Sequence, residues 1–189
     1  MLLSVGRANA VKLEGGVRVA ETISRLVQAG IPVMGHVGLT PQSFNEMGGF
    51  KIQGRDAGAA AAILEDAVAV AEAGAYSIVL EGIPASLAAR ITETVGIPTI
   101  GIGASANCDG QVLVLYDMLG MNPDFNPRFL KKYADLASVI RGAVDTFGDE
   151  VRGGAFPGPQ HSFSGEGLYS SATAGSSGAV DARKGGGES

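Results

Sequence analysis

The sequence predicts an α/β fold: a parallel sheet wound as an incomplete (β/α)8 TIM barrel, in which five strands are legible. Three observations carry this reading. A two-strand unit occurs twice, offset by about 66 residues (Pro32 to Pro98), and such an internal period signals a repeated architecture. Its strands are apolar on consecutive positions, as suits strands covered on both faces. Between them lie stretches of helical spacing that end in glycine, which adopts the left-handed conformation at little steric cost.

The first strand is Val11-Lys12-Leu13-Glu14, followed by Gly15-Gly16, and its match is Ile78-Val79-Leu80-Glu81, followed by Gly82. The second is Gly30-Ile31-Pro32-Val33-Met34-Gly35-His36, matched by Gly96-Ile97-Pro98-Thr99-Ile100-Gly101-Ile102. Val19, Ile23, Leu26 and Val27 make one helical stripe closed by Gly30; Ile63, Leu64, Ala67, Val68 and Ala71 make another closed by Gly74. Leu87 and Ile91 belong to a third, closed by Gly96. A fifth strand is read at Val112-Leu113-Val114-Leu115-Tyr116, before Asp117. Phe129, Tyr133, Leu136, Ala137, Ile140, Val144 and Phe147 predict a long amphipathic helix whose stripe covers the sheet or another subunit. Successive units related by rotation favour a barrel over an open doubly wound sheet, and in either fold ligands sit at the carboxyl ends of the strands. Glu14, His36, Glu81 and Asp117 all fall at such ends.

Composition places one globular domain over residues 1–163 and a Gly, Ser and Ala-rich tail over 164–189, which, with little apolar surface to bury, is expected to be disordered. A net charge of −5 gives no footprint for a nucleic-acid or acidic-membrane partner. The single cysteine, Cys108, rules out an intrachain disulfide and fits a reducing compartment. With no spanning apolar run and no basic segment leading into a signal core, the expectation is a soluble cytoplasmic protein.

A carboxylate directly after a buried strand is rarely there for packing. Glu81 would be partly desolvated, the environment a general base requires, although a helix cap or an ion pair fits it nearly as well. Lys12 and Glu14 share one face of their strand, either as an internal ion pair or as a substrate-carboxylate donor beside an oxygen ligand suited to Mg²⁺. His36 reads as a site-lining residue, with a structural hydrogen-bonding role as the alternative. The glycine-hinged 48–55 segment, with Lys51 and Arg55, reads as a lid over an anionic ligand or as a plain surface loop. Gly101-Ile102-Gly103-Ala104 resembles a phosphate loop, or reflects close backbone packing. Cys108 and His161 are not expected to carry chemistry.

Taken in order, the Glu14 and Glu81 strands, Gly35-His36-Val37-Gly38-Leu39-Thr40-Pro41-Gln42, Gly48-Gly49-Phe50-Lys51-Ile52-Gln53-Gly54-Arg55, Pro98-Thr99-Ile100-Gly101-Ile102-Gly103-Ala104 and Phe156-Pro157-Gly158 resemble the ketopantoate hydroxymethyltransferase family over about residues 8 to 163. The resemblance implies a barrel of the phosphoenolpyruvate-binding superfamily, assembled as a homo-oligomer. It implies hydroxymethyl transfer from 5,10-methylenetetrahydrofolate, the one-carbon donor, to 3-methyl-2-oxobutanoate, giving 2-dehydropantoate in pantothenate synthesis. By the same resemblance Glu14 is a Mg²⁺ ligand, Lys12 and His36 bind the 2-oxo acid, and Glu81 is the proton acceptor. In the family about three further strands of the barrel precede this region and supply two aspartates for the metal and a serine for the substrate. The expectation is therefore a chain that lacks the N-terminal third. A competing expectation is a non-catalytic barrel fragment that persists only by assembly with other subunits. A third, a carbon–carbon lyase of the same superfamily, is disfavoured by the His36 loop and by Glu81.

Overall fold

The computed structural model describes residues 6–43 and 52–165, and strand alternates with helix through most of them. β1 (Val11–Glu14), α1 (Val17–Gln28), β2 (Val33–Gly38), α2 (Ala57–Glu72), β3 (Ser77–Glu81), α3 (Ala85–Thr94), β4 (Thr99–Ile102), β5 (Gly110–Gln111) and α4 (Leu115–Met118) belong to a compact unit, Met1–Ala137. A second unit, Ser138–Ser189, holds most of α5 (Leu136–Arg152) and a 3₁₀ turn at Pro159–His161. In that unit Phe156 packs edge-on against Phe147, with ring centroids 5.3 Å apart. The expected tail lies, from residue 166, outside the described residues.

All five strands are parallel and their order is sequential, β1-β2-β3-β4-β5. A doubly wound sheet reverses its strand order at a switch point; this one never does. With right-handed crossovers, every helix then falls on the same face, which is the winding of a (β/α)8 barrel. The core follows that geometry: Ile23 of α1, Ile63, Ala67 and Val70 of α2 and Leu87, Ala88 and Ile91 of α3 pack with Val33, Val37, Ile78 and Leu80. Gly35 belongs to the same face, where a Cβ would sit 2.2 Å from Val70 Cγ1, so the absent side chain lets α2 lie close on β2. Because side chains alternate along a strand, the opposite face carries Lys12, Glu14, Met34, His36, Val79 and Glu81.

The glycine stops hold for two of three helices. Gly30 (φ 78°) and Gly74 (φ 94°) end α1 and α2 in paired reverse bonds: Gly30 N–H donates to Val27 O and Ile31 N–H to Leu26 O, with Gly74 and Ala75 repeating the pattern on Ala71 and Val70. Beyond α3 the chain instead turns extended at Val95, and Gly96 is not left-handed.

Two predicted boundaries are corrected. The fifth strand lies earlier and is shorter than 112–116: it is Gly110–Gln111. Register pairs Gly101 with Gln111, Val112 N–H makes one further bond to Gly101 O, and β4 then ends at Ile102, before Gly103 turns at φ 60°. No ladder remains for Val114 or Tyr116, which are exposed, and Asp117 lies in the single turn of α4 rather than at a strand end. The long helix likewise begins at Leu136, not near Phe129. Tyr133 N–H donates to Met118 O and Leu136 N–H to Leu119 O, so amides that would enter a helical ladder are committed to α4 and its following residue.

Two carboxylates fix the ends of elements across long sequence distances. Helix α1 has no cap from its own Gly16; Asp66 of α2 accepts the Val17 N–H at 2.8 Å instead. A Cβ on Gly16 would lie 1.9 Å from that carboxylate, so the second glycine after Glu14 is required for space. At the other end of the sheet, Asp109 Oδ2 accepts the Thr99 N–H (2.8 Å) and its hydroxyl (3.0 Å), and Thr99 Oγ1 lies 2.9 Å from Thr92 Oγ1. The Thr99 backbone N–H first, then its hydroxyl, hold the Asp109 carboxyl below its ordinary range.

Asp66→Ala is therefore expected to lower stability by about 1 kcal/mol, within the range for a lost helix cap, read as a lower urea midpoint. An unchanged midpoint would mean that water caps α1 as well as Asp66 does. For Asp109 the folded-state value is depressed, so its contribution is present above the ordinary 3.8 and is lost as pH falls through the folded value. Asp109→Asn should flatten the decline of the urea midpoint between neutral pH and pH below about 3.8, and parallel declines would refute this assignment.

Candidate active site

Three predicted residues meet at the carboxyl ends of β1, β2 and β3. Glu14 is the register partner of His36, and Glu81 is the partner of Gly38, two positions further along β2. The imidazole therefore lies between the two carboxylates: Nδ1 is 3.6 Å from Glu14 Oε1 and Nε2 is 3.1 Å from Glu81 Oε2. Side-chain exposure is 1% for His36, 9% for Glu14 and 20% for Glu81, which makes Glu81 the most open of the three.

Main-chain hydrogen bonds hold the Glu14 carboxylate and the backbone of Glu81 in place. After Glu14 the chain turns at Gly15 (φ 121°), whose N–H donates to His36 O at 2.9 Å. Glu14 Oε2 accepts the Gln42 N–H at 2.9 Å, from the 3₁₀ turn Pro41–Ser43 that follows β2. The Glu81 carbonyl accepts the Leu39 N–H (2.8 Å), Gly82 N–H donates to Ile102 O (2.9 Å), and Gly82 O accepts the Gln53 N–H (2.8 Å). Gly38 (φ 92°) makes this possible, because a Cβ there would lie 2.3 Å from Glu81 O.

The imidazole is less well served. Both ring nitrogens are buried and neither is aligned into a hydrogen bond. An unsatisfied buried polar group costs about 1–3 kcal/mol, so its retention calls for an explanation other than packing.

Lys12 lies on the same sheet face as Glu14, one pleat further from the strand end, and is exposed. Asp117 is not at the site, since it lies in α4. Residues 48–51 of the expected lid lie outside the described residues; the part beyond them is anchored by Gln53 and by Gly54 (φ 71°), which packs on Leu87 and Ile63. At Gly101-Ile102-Gly103-Ala104 the backbone is closely packed, which supports the packing reading: a Cβ at Gly101 would meet Cys108 and Gln111, and one at Gly103 the Phe129 ring. Among the described residues His161 makes local contacts only, its Nδ1 accepting the Gly158 N–H (3.3 Å).

Sequence reasoning missed the Gln42 amide and Asp66. A proline opening a turn directly after β2 marks the first; nothing local marks the second, which lies 49 residues from the amide it caps.

Among the described residues, no group of three or more His, Cys, Asp or Glu side chains is disposed to hold a metal ion. The arrangement offers instead an isolated carboxylate fixed by an amide, a second and more open carboxylate, and an imidazole between them. An open carboxylate at a strand end is suited to proton abstraction, and one held by a backbone N–H keeps lone pairs for a hard cation.

Comparison with known proteins identifies the family. The sequence model of the family described as ketopantoate hydroxymethyltransferase matches residues 1–159. The chain is 58% identical to a 3-methyl-2-oxobutanoate hydroxymethyltransferase of Carboxydothermus hydrogenoformans over 161 residues, 85% of this chain and 58% of the relative. It is 58% identical to that of Syntrophotalea carbinolica over 163 residues, 86% of this chain and 61% of the relative. With that of Chloroflexus aurantiacus it shares 59% identity over 161 residues, 85% of this chain and 57% of the relative. The chain thus spans less than two thirds of the length of the relatives it matches. On the strength of these matches and of a singly wound parallel sheet, the chain belongs to the ketopantoate hydroxymethyltransferase family.

Proposed function

We propose that this protein transfers a hydroxymethyl group from 5,10-methylenetetrahydrofolate to C3 of 3-methyl-2-oxobutanoate, giving 2-dehydropantoate. The observation that carries the proposal is the gathering of Glu14, His36 and Glu81 from three consecutive strands, with the imidazole 3.1 Å from the more open carboxylate. The names of the relatives supply the substrate class.

The C–H at C3 of a 2-oxo acid is acidified by the adjacent carbonyl, so a carboxylate can remove it once the developing negative charge is stabilised. Glu81 takes that proton. Water adds to the donor's methylene carbon and its two C–N bonds break, releasing tetrahydrofolate and a formaldehyde-level unit. The enolate adds to the carbon of that unit, and the resulting alkoxide takes up a proton as the hydroxyl. Lys12, exposed on the same face, neutralises the substrate carboxylate. His36 lines the wall of the same site, between the two carboxylates.

Glu14 fits a Mg²⁺ ion. Its Oε1 stands 3.6 Å from His36, beyond hydrogen-bond distance, and keeps lone pairs for a cation. Mg²⁺ accepts as few as one or two protein carboxylates when substrate oxygens and water complete its shell. When bound, the ion supplies Lewis-acid polarisation of the 2-oxo group. Cytoplasmic placement and homo-oligomeric assembly belong to the same proposal; α5 supports the latter, with Val139, Ile140, Val144 and Phe147 exposed.

Deuterium exchange at C3 of 3-methyl-2-oxobutanoate, followed by NMR, tests the reading without the folate half-reaction. Exchange is expected to require Mg²⁺ and to fall by about 10²–10⁴-fold in Glu81→Gln. Absence of exchange from a folded sample would sink the enzymatic reading and favour a non-catalytic fragment.

A further inference from the structure

His36 is buried deeper than either carboxylate beside it, and its two nitrogens are without hydrogen bonds. A side chain that merely fills such a place is apolar, as is Val79, its register partner on β3. An imidazole kept there serves something it faces. Its Nε2 faces Glu81 Oε2 at 3.1 Å, a hydrogen-bond distance that lacks only alignment. Catalytic hydrogen bonds are often poorly aligned before substrate binds and tighten in the complex.

The two carboxylates differ in how they are held. Glu14 has the Gln42 amide, whereas among the described residues the Glu81 carboxylate has His36 as its one hydrogen-bonding or ion-pair neighbour. The backbone of Glu81 is tied on both sides, but its side-chain torsions are not set by those bonds. We propose that His36 is a positioning residue: in the working site Nε2–H donates to Glu81 Oε2 and sets the direction in which that carboxylate meets the substrate. The ring also keeps Glu81 at a fixed separation from Glu14. This role replaces direct contact with the 2-oxo acid as the function of His36, and it rests on Glu81 being the base.

The chain has two histidines, so a long-range ¹H–¹⁵N correlation spectrum of the full chain, assigned with His161→Gln, reads the His36 ring directly. The expected result is a proton on Nε2 whose signal moves in Glu81→Ala and moves less in Glu14→Ala. A proton on Nδ1 alone, or an Nε2 signal indifferent to Glu81→Ala, overturns the proposal. These variants keep the His36 ring, so the reading stands even if His36 itself cannot be replaced without unfolding.

C3 exchange supplies the second arm. His36→Phe should lower kcat for exchange by about 10–100-fold with KM nearly unchanged, as for residues that orient a reacting group, and His36→Gln should recover part of it. A raised KM with kcat retained would assign His36 to the substrate and overturn the positioning role. Exchange that survives Glu81→Gln would instead overturn the base assignment, a result distinguishable because the NMR arm still reports the Nε2 contact.

Discussion

The structure depends on the register of β1, β2 and β3. Parallel pairing sets Glu14 opposite His36 and Glu81 opposite Gly38, so three side chains that are remote in sequence project from one face near the strand ends. A slip of one residue in any of these ladders would turn that strand's polar groups into the apolar layer under the helices. What prevents a slip is the other face. Val33, Val37, Ile78 and Leu80 are each 2% exposed or less, and a one-residue slip would bring them to the opposite face and carry Lys12, Glu14, His36 or Glu81 of the slipped strand into the apolar layer. The core therefore fixes the site.

Glycine completes what register begins. Gly15 and Gly38 both take positive φ, where an L side chain is strained, and both lie beside the groups they serve: Gly15 bonds to the His36 carbonyl, and Gly38 leaves room for the Glu81 carbonyl. Gly16 and Gly35 are different, since neither has positive φ; each is small because an Asp66 carboxylate or a Val70 methyl fills the space a Cβ would need. The pair after Glu14 thus combines a conformational requirement with a steric one. In sequence the two look identical.

Much of the fold could be read before the structure. The duplicated strand ending in Glu and Gly gave β1 and β3 with their carboxylates, and apolar stripes gave α1, α2 and α3, because these features are set by local periodicity and by a core that respects it. The misplaced boundaries share one cause. β5 stops where β4 runs out, and α5 starts only at Leu136 because the amides of Tyr133 and Leu136 are bonded to Met118 and Leu119, so both limits are set by a partner distant along the chain. The same holds for the site: Glu14, His36 and Glu81 were legible as strand-end polar residues, whereas the Gln42 amide, the Asp66 cap and the interposition of His36 between the carboxylates are products of packing.

The unequal support of the two glutamates fits the roles proposed for them, Glu14 as a metal ligand and Glu81 as the base. A metal ligand works best when it does not move, and a main-chain amide from a proline-initiated turn gives Glu14 that rigidity at little entropic cost. A base must meet a substrate that arrives and a proton that leaves, so it needs a fixed backbone with an oxygen able to adjust. Glu81 has that combination: its peptide groups are bonded to β2 and β4, while its carboxylate is more open and touches a ring rather than an amide. Burying an imidazole without aligned partners lowers the stability of the resting fold, and such local destabilisation is common where a site is prepared for an interaction made only during reaction. On this view the orphaned nitrogens of His36 record the work of the site rather than a flaw in its packing.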